Sequence, residues 1–174
     1  MNNYFRSIRY DIPLHFVLLL CNWLPDNVIF LRLRGFLAAP FFGSCGKDLR
    51  LGRNLTFYNS SNMHIGKNVY IAEGNWFSCK EKIQIGDEVI FGPKSVITSS
   101  NHTYMDNSYR YGKSIARPIS IQKGCWVAAN CTITAGTEIG TGTLIAANSV
   151  TKGQIPSLSI YGGVPGKIIK SIHS

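Results

Sequence analysis

Acidic side chains are scarce in this sequence: nine Asp and Glu stand against 18 Lys and Arg, for a formal net charge of +9. That imbalance favours an anionic partner, whether nucleic acid, an acidic membrane surface or a phosphorylated small molecule. The basic residues are scattered singly, and no Lys/Arg cluster carries interleaved aromatics or the spacing of a nucleic-acid reader, so nucleic acid drops out of the expected partners. Paired cysteines are missing too. Cys21, Cys45, Cys79, Cys125 and Cys131 are odd in number, with no C-x-x-C pair and no zinc-type spacing. A disulfide framework and a structural zinc site are thereby excluded, leaving reduced thiols in a cytoplasmic protein. No hydrophobic run is long enough to span a bilayer. Ile12–Leu24 covers 13 residues where a spanning helix needs about 20, and it lacks the basic start and small-residue cleavage site of a secretory leader. The composition of a disordered chain is absent as well, since 45% of residues are hydrophobic and 16% charged. At 174 residues the chain is about one domain long and can bury a sizeable core.

Two apolar segments stand near the start. Ile12–Leu24 and Val28–Phe42, the second interrupted by Arg32 and Arg34, read as helical pieces split by Pro25 and Asp26 and lying on a protein or membrane surface. From Leu51 onward an aliphatic residue followed by a small one recurs every six positions, most clearly in hexads opening at Ile65, Ile85, Phe91, Val127, Ile133, Ile139 and Ile145. A helix repeats every three or four residues and a simple strand every two, so this rhythm describes short strands joined by regular corners. Each strand sends its aliphatic inward, while glycine, asparagine or another small residue lets the backbone turn at the corner. Three such faces close a triangular coil, and stacked coils bury a continuous aliphatic column. Ile121 to Ile139 is one coil of 18 residues; Ile85 to Ile121 is 36, with the pattern lost after His102. Residues 103–118 therefore form a loop thrown out from a corner, where function concentrates. A helix bundle is excluded by the 17 glycines, each costing roughly 1 kcal/mol in a helix interior. The expected divisions are a helical segment at 1–48, a prism at 49–156 carrying the loop, and a tail at 157–174.

The hexads, the loop opening at Ser100-Asn101-His102-Thr103-Tyr104 and the closing Gly162-Gly163-Val164-Pro165-Gly166-Lys167-Ile168-Ile169 together resemble the hexapeptide-repeat acyltransferases. Within that family the likeness is to galactoside, maltose and capsule or O-antigen polysaccharide O-acetyltransferases. The resemblance covers roughly residues 49–172 and implies an all-β fold, a left-handed parallel β-helix, assembled as a homotrimer with acetyl-CoA between subunits. It implies that His102 is the base that deprotonates an acceptor hydroxyl, a role suited to an imidazole titrating near neutrality. A backbone N–H or the amide of Asn75 would stabilise the oxyanion. Trp126 falls where the family carries a tryptophan beside the pantetheine arm, Lys167 and Lys170 where basic residues meet the nucleotide phosphates, and Ala129, Ala147 and Lys152 are further cofactor-binding positions that the resemblance implies. The pair Thr151-Lys152 departs from the family by sitting one residue early in its hexad. No metal is implied. His15, His64, His102 and His173 lack the two-histidine spacing within one coil that a zinc site on this fold needs.

Taken as residues alone, these positions admit plainer readings. His102 suits a solvated loop, Trp126 a hydrophobic corner, Asn75 a left-handed turn, and Lys167 with Lys170 a solvated basic face. The expected reaction is acetyl transfer from acetyl-CoA to a sugar hydroxyl of a surface polysaccharide or its lipid-linked precursor. Acetylation of serine, an antibiotic or a nucleotide-sugar amine, and a non-catalytic binding module, remain open beside it. The expected location is cytoplasmic, with residues 1–42 and Arg6, Arg9, Arg32 and Arg34 available to an anionic inner leaflet, or packed on the prism or a neighbouring subunit.

Overall fold

The computed structural model describes residues 3–172, and His173 lies outside them. A short helix α1 (Asn3–Arg6) passes through a π-turn at Ser7–Asp11 into α2 (Ile12–Cys21), and α3 spans Val28–Ala38. Helix thus begins well ahead of the apolar run, and it breaks at Pro25-Asp26 as expected. Asn27, in extended conformation, restarts it by accepting a 3.1 Å hydrogen bond from the N–H of Phe30, the usual device for an orphan donor at a helix start.

The rest of the chain winds into a left-handed parallel β-helix of about six turns. Its three faces carry strands in parallel register: face A through Ile65, Ile85, Ile121 and Ile139; face B through Ile71, Phe91, Val127 and Ile145; face C through Phe57, Phe77, Ile97 and Ile133. Every one of these side chains is buried, each contributing about 1.5–3 kcal/mol. Toward the first coils the column turns aromatic, with Phe57 stacked on Phe77 at 5.1 Å between centroids and Phe42 and Phe91 meeting them edge-on.

The helices plug the open end of this prism. Leu14 and Leu18 of α2, Ala38 of α3 and Phe42 join the same cluster as Leu49, Leu51, Leu55 and Phe57 of the first coil. Arg34 goes in with them. It is 0% exposed, donates to the carbonyls of Cys21, Leu24 and Leu51 at 3.3, 2.6 and 2.9 Å, and pairs with Asp26 at 2.8 Å. The four arginines divide between the two expected placements: Arg34 is interior, Arg32 pairs with Asp48, Arg6 donates to Asn59, and Arg9 stays exposed over the Tyr10 ring.

Two features of the repeat differ from the sequence reading. Coils before the loop are longer than three hexads: Ser44 pairs with His64 and Tyr70 with Ile90, steps of 20 residues, whereas Ser120 pairs with Glu138, a step of 18. The extra residues all enter at the corner from face C to face A, at 59–62 and 79–82, and the loop grows from that same corner after Thr98. The glycine behind each aliphatic, moreover, is not the turning residue. The left-handed positions come two residues later, at Gly124, Asn130, Gly136, Gly142 and Asn148, keeping the period of six. The glycine is there because coils pack closely: a Cβ on Gly86 would stand 2.6 Å from the backbone nitrogen of Lys123.

Candidate active site

The segment between the third and fourth coils is an ordered arm. Its base is an antiparallel pair, Ser100–Asn101 against Ile115–Ala116. Ser99 locks that base: its Oγ accepts from the N–H of Glu81 at 2.8 Å, and its carbonyl accepts from the N–H of Arg117. Thr103 Oγ1 donates to the Lys113 carbonyl at 2.5 Å, and Lys80 donates to Ser114. His102 leaves this ribbon exposed, and no side-chain hydrogen bond to it occurs within the chain among the described residues. The arm therefore holds an imidazole at the C-to-A edge with both ring nitrogens available. Beyond it, Tyr104 and Tyr109 meet at 5.2 Å between ring centroids, and Tyr111 is equally exposed. Tyr104 belongs to the loop motif read from the sequence, whereas Tyr109 and Tyr111 were given no role there.

A second group gathers on face B and its corner with face C. Trp126 points outward, half exposed, between Ile90 and Leu144 in register. Ala129 and Ala147 stack at the B-to-C corner in successive coils, the carbonyl of Ala129 accepting from the N–H of Asn148. Lys170 pairs opposite Ile160 and Lys167 opposite Gly162 on the final strand, Gly166–Ser171, which runs antiparallel along face B. Both lysines are exposed. A flat indole, an apolar strip, a smooth alanine edge and two ammonium groups thus share one side of the prism.

The structure does not bring these groups together in one chain. His102 stands at the C-to-A edge, with Lys152 two coils farther along the same edge, and the width of face C separates them from the alanine corner. Thr151 faces inward and is fully buried, its Oγ1 3.3 Å from that of Thr137, while Lys152 is exposed. Asn75 corrects the expectations placed on it. The left-handed turn is taken by Gly74; Asn75 is 1% exposed and points into the prism. Both N–H bonds of its amide are spent on the carbonyls of Ala72 and Gly92, at 2.7 and 2.9 Å, and its oxygen accepts from the N–H of Ser95. It clamps one coil to the next and has no donor left for an oxyanion.

Other reactive side chains are occupied or suppressed. Burial pushes the Cys79 thiol up to about 12 and that of Cys45 up to about 11, far from the thiolate a nucleophile needs. His64 lies on face A with its Nδ1 2.9 Å from Ser44 Oγ, and burial followed by the nearby Lys82 charge lowers its pKa. Among the described residues no cluster of three or more His, Cys, Asp or Glu could hold a metal ion.

Residues 118–153 match the bacterial transferase hexapeptide family (six repeats). WbbJ of Escherichia coli K12, provisionally named a lipopolysaccharide biosynthesis O-acetyl transferase, is 32% identical over 144 residues, covering 74% of this chain and 68% of its own length. The chain belongs to the hexapeptide-repeat acyltransferases. Another member of that family, the galactoside O-acetyltransferase of E. coli K12, is 26% identical over 140 residues, 80% of this chain and 69% of that protein. In fold the chain matches a hexapeptide-repeat acetyltransferase from Vibrio cholerae solved in complex with acetyl coenzyme A. The TM-score is 0.85 over 99% of this chain and 91% of that one, at 23% identity. Like these relatives, this hexapeptide-repeat protein is an acetyltransferase.

Proposed function

We propose that the protein transfers acetyl from acetyl-CoA to a sugar hydroxyl of a surface polysaccharide or its lipid-linked precursor, working in the cytoplasm at the inner membrane. His102 is the general base. One ring nitrogen takes the proton of the acceptor hydroxyl as its oxygen attacks the thioester carbonyl. Backbone N–H groups hold the oxyanion of the tetrahedral intermediate. Its collapse breaks the C–S bond, and the imidazolium returns the proton to the departing thiolate, leaving an acetyl ester and free CoA. The observation carrying this reading is the arm itself: a latched ribbon that presents an imidazole with no side-chain partner among the described residues, in a chain whose relative WbbJ bears a lipopolysaccharide name.

The side with Trp126, Ala129 and Ala147 suits the pantetheine chain, because small side chains leave room and the indole offers an apolar wall. Lys167 and Lys170, with their mobile ammonium groups, suit the nucleotide phosphates. Lys152 belongs instead to the histidine edge. This separation supports a homotrimer as part of the same reading, with the base of one subunit facing the cofactor side of its neighbour. Thiol release from acetyl-CoA, measured with a panel of sugars, serine and aminoglycoside acceptors, is expected to rise with a sugar alone. Turnover with serine or an aminoglycoside but no sugar would replace the acceptor; none with any acceptor would make the protein a binding module.

A further inference from the structure

The largest feature that acetyl transfer leaves unused is the outer surface of the helical plug. Thirteen large apolar side chains between Tyr4 and Leu37 are exposed, as many as in all the other described residues together. They follow helical spacing. Phe5, Ile8, Ile12, Phe16, Leu19 and Trp23 recur every three or four residues along α1 to α2, and Ile29, Leu33 and Phe36 do so on α3. The opposite stripe, Leu14, Leu18 and Cys21, is the one buried in the prism. Helix α2 is therefore apolar on both sides with only one side partnered within the chain, while α3 turns Arg34, Gly35 and Ala38 to the prism and leaves large apolar side chains outside.

The charges on this plug are sorted. Asp11 and Asp26 are the only acids between Tyr4 and Leu37. Asp11 accepts from the N–H and hydroxyl of Ser60, and Asp26 pairs with Arg34 and Arg53. Both carboxylates are thus tied to the prism side, while Arg9 remains exposed beside Phe5 and Ile8. An apolar stripe with interfacial aromatics, a free guanidinium and no free carboxylate matches the headgroup boundary of an anionic bilayer. No described helix is long and apolar enough to cross a membrane, so the segment would lie in the plane of the surface.

We propose that the outer face of α1 to α3 docks the protein on an anionic membrane surface. Because the helices close one end of the prism, the coils stand away from the membrane with their faces free. In a trimer of parallel prisms the three plugs share one plane, which triples the contact and sets every active site at one height above the lipid; this last step rests on the trimer of the proposed function, and the docking itself does not.

The test uses the whole protein with vesicles of phosphatidylcholine alone and of phosphatidylcholine with phosphatidylglycerol. Binding is expected to the mixed vesicles and to weaken about tenfold in the double variant Trp23→Ser/Phe36→Ser, with solution mass and turnover on a soluble sugar unchanged. Brominated lipid should quench the tryptophan emission of the native chain, and Trp23→Phe should remove most of that quenching while keeping the fold. No binding to either vesicle, or quenching that persists in Trp23→Phe, overturns the proposal. A fall in solution mass in the double variant also overturns it and assigns the surface to contacts between copies. Loss of sugar turnover in the native chain would count against the proposed function and leave the vesicle result standing.

Discussion

Replacing His102 with alanine is expected to lower turnover by roughly 10² to 10⁴ while acetyl-CoA binding is retained. The size follows from the mechanism: without the imidazole, water must take the proton of a weakly acidic hydroxyl during attack. Retained binding follows from the architecture, because His102 stands on an arm at the C-to-A edge whereas Trp126, Ala129, Ala147, Lys167 and Lys170 lie on face B and its far corner. The side chain is exposed and joins none of the contacts that latch the arm, which are made by Ser99, Thr103, Lys80 and Ser114. Its removal should leave the melting temperature unchanged. Steady-state kinetics beside calorimetric titration with CoA separates the two outcomes. A collapse of cofactor affinity would make the histidine a structural or binding residue.

Phe77→Ala is expected to cost about 3–5 kcal/mol of stability, the range for deleting a buried aromatic ring. Phe77 is fully buried on the inner side of face C, stacked on Phe57 and edge-on to Phe91. It thereby links the coil under the helical plug to the coils that carry the arm. The prism is rigid because successive coils repeat their contacts, so the cavity has little room to collapse. Denaturant unfolding of the two chains measures the difference. A loss below about 1 kcal/mol would mean that the column tolerates a void and that its stability resides in the strand ladders instead.

The period of six was legible because burial imposes it: the strand positions that point into a narrow prism are filled by large apolar side chains, and Ile121, Val127, Ile133 and Ile139 repeat that demand without interruption. The 20-residue coils were not legible, since residues 59–62 and 79–82 bulge at a corner and leave the inward positions of each face untouched. Glycine misled for a related reason. Sequence shows that a small residue follows the aliphatic, but the cause at Gly86 is a neighbouring coil 37 positions away, at Lys123, and only folding reveals that contact. The position of His102 on the arm was readable from its place just past the last hexad before the loop. Asn75 was misread because an asparagine in this repeat can either take a left-handed corner, as Asn130 and Asn148 do, or clamp coils from inside. The two positions differ by one residue in the hexad. Arg34 shows the same limit: its charge suggested a surface, and its burial depends on carbonyls at Cys21, Leu24 and Leu51 that converge only when the helices close the prism.

The claim on which the rest turns is that the imidazole of one chain works against the cofactor side of another. Co-assembly of a His102→Ala chain with an Ala147→Trp chain, each inactive alone, tests it through acetyl transfer. If the site is shared between neighbours, mixing equal amounts restores about one site in four, since that fraction pairs an intact arm with an intact groove. If the mixture stays as inactive as its parts while assembling normally, each chain holds its own complete site and the account fails.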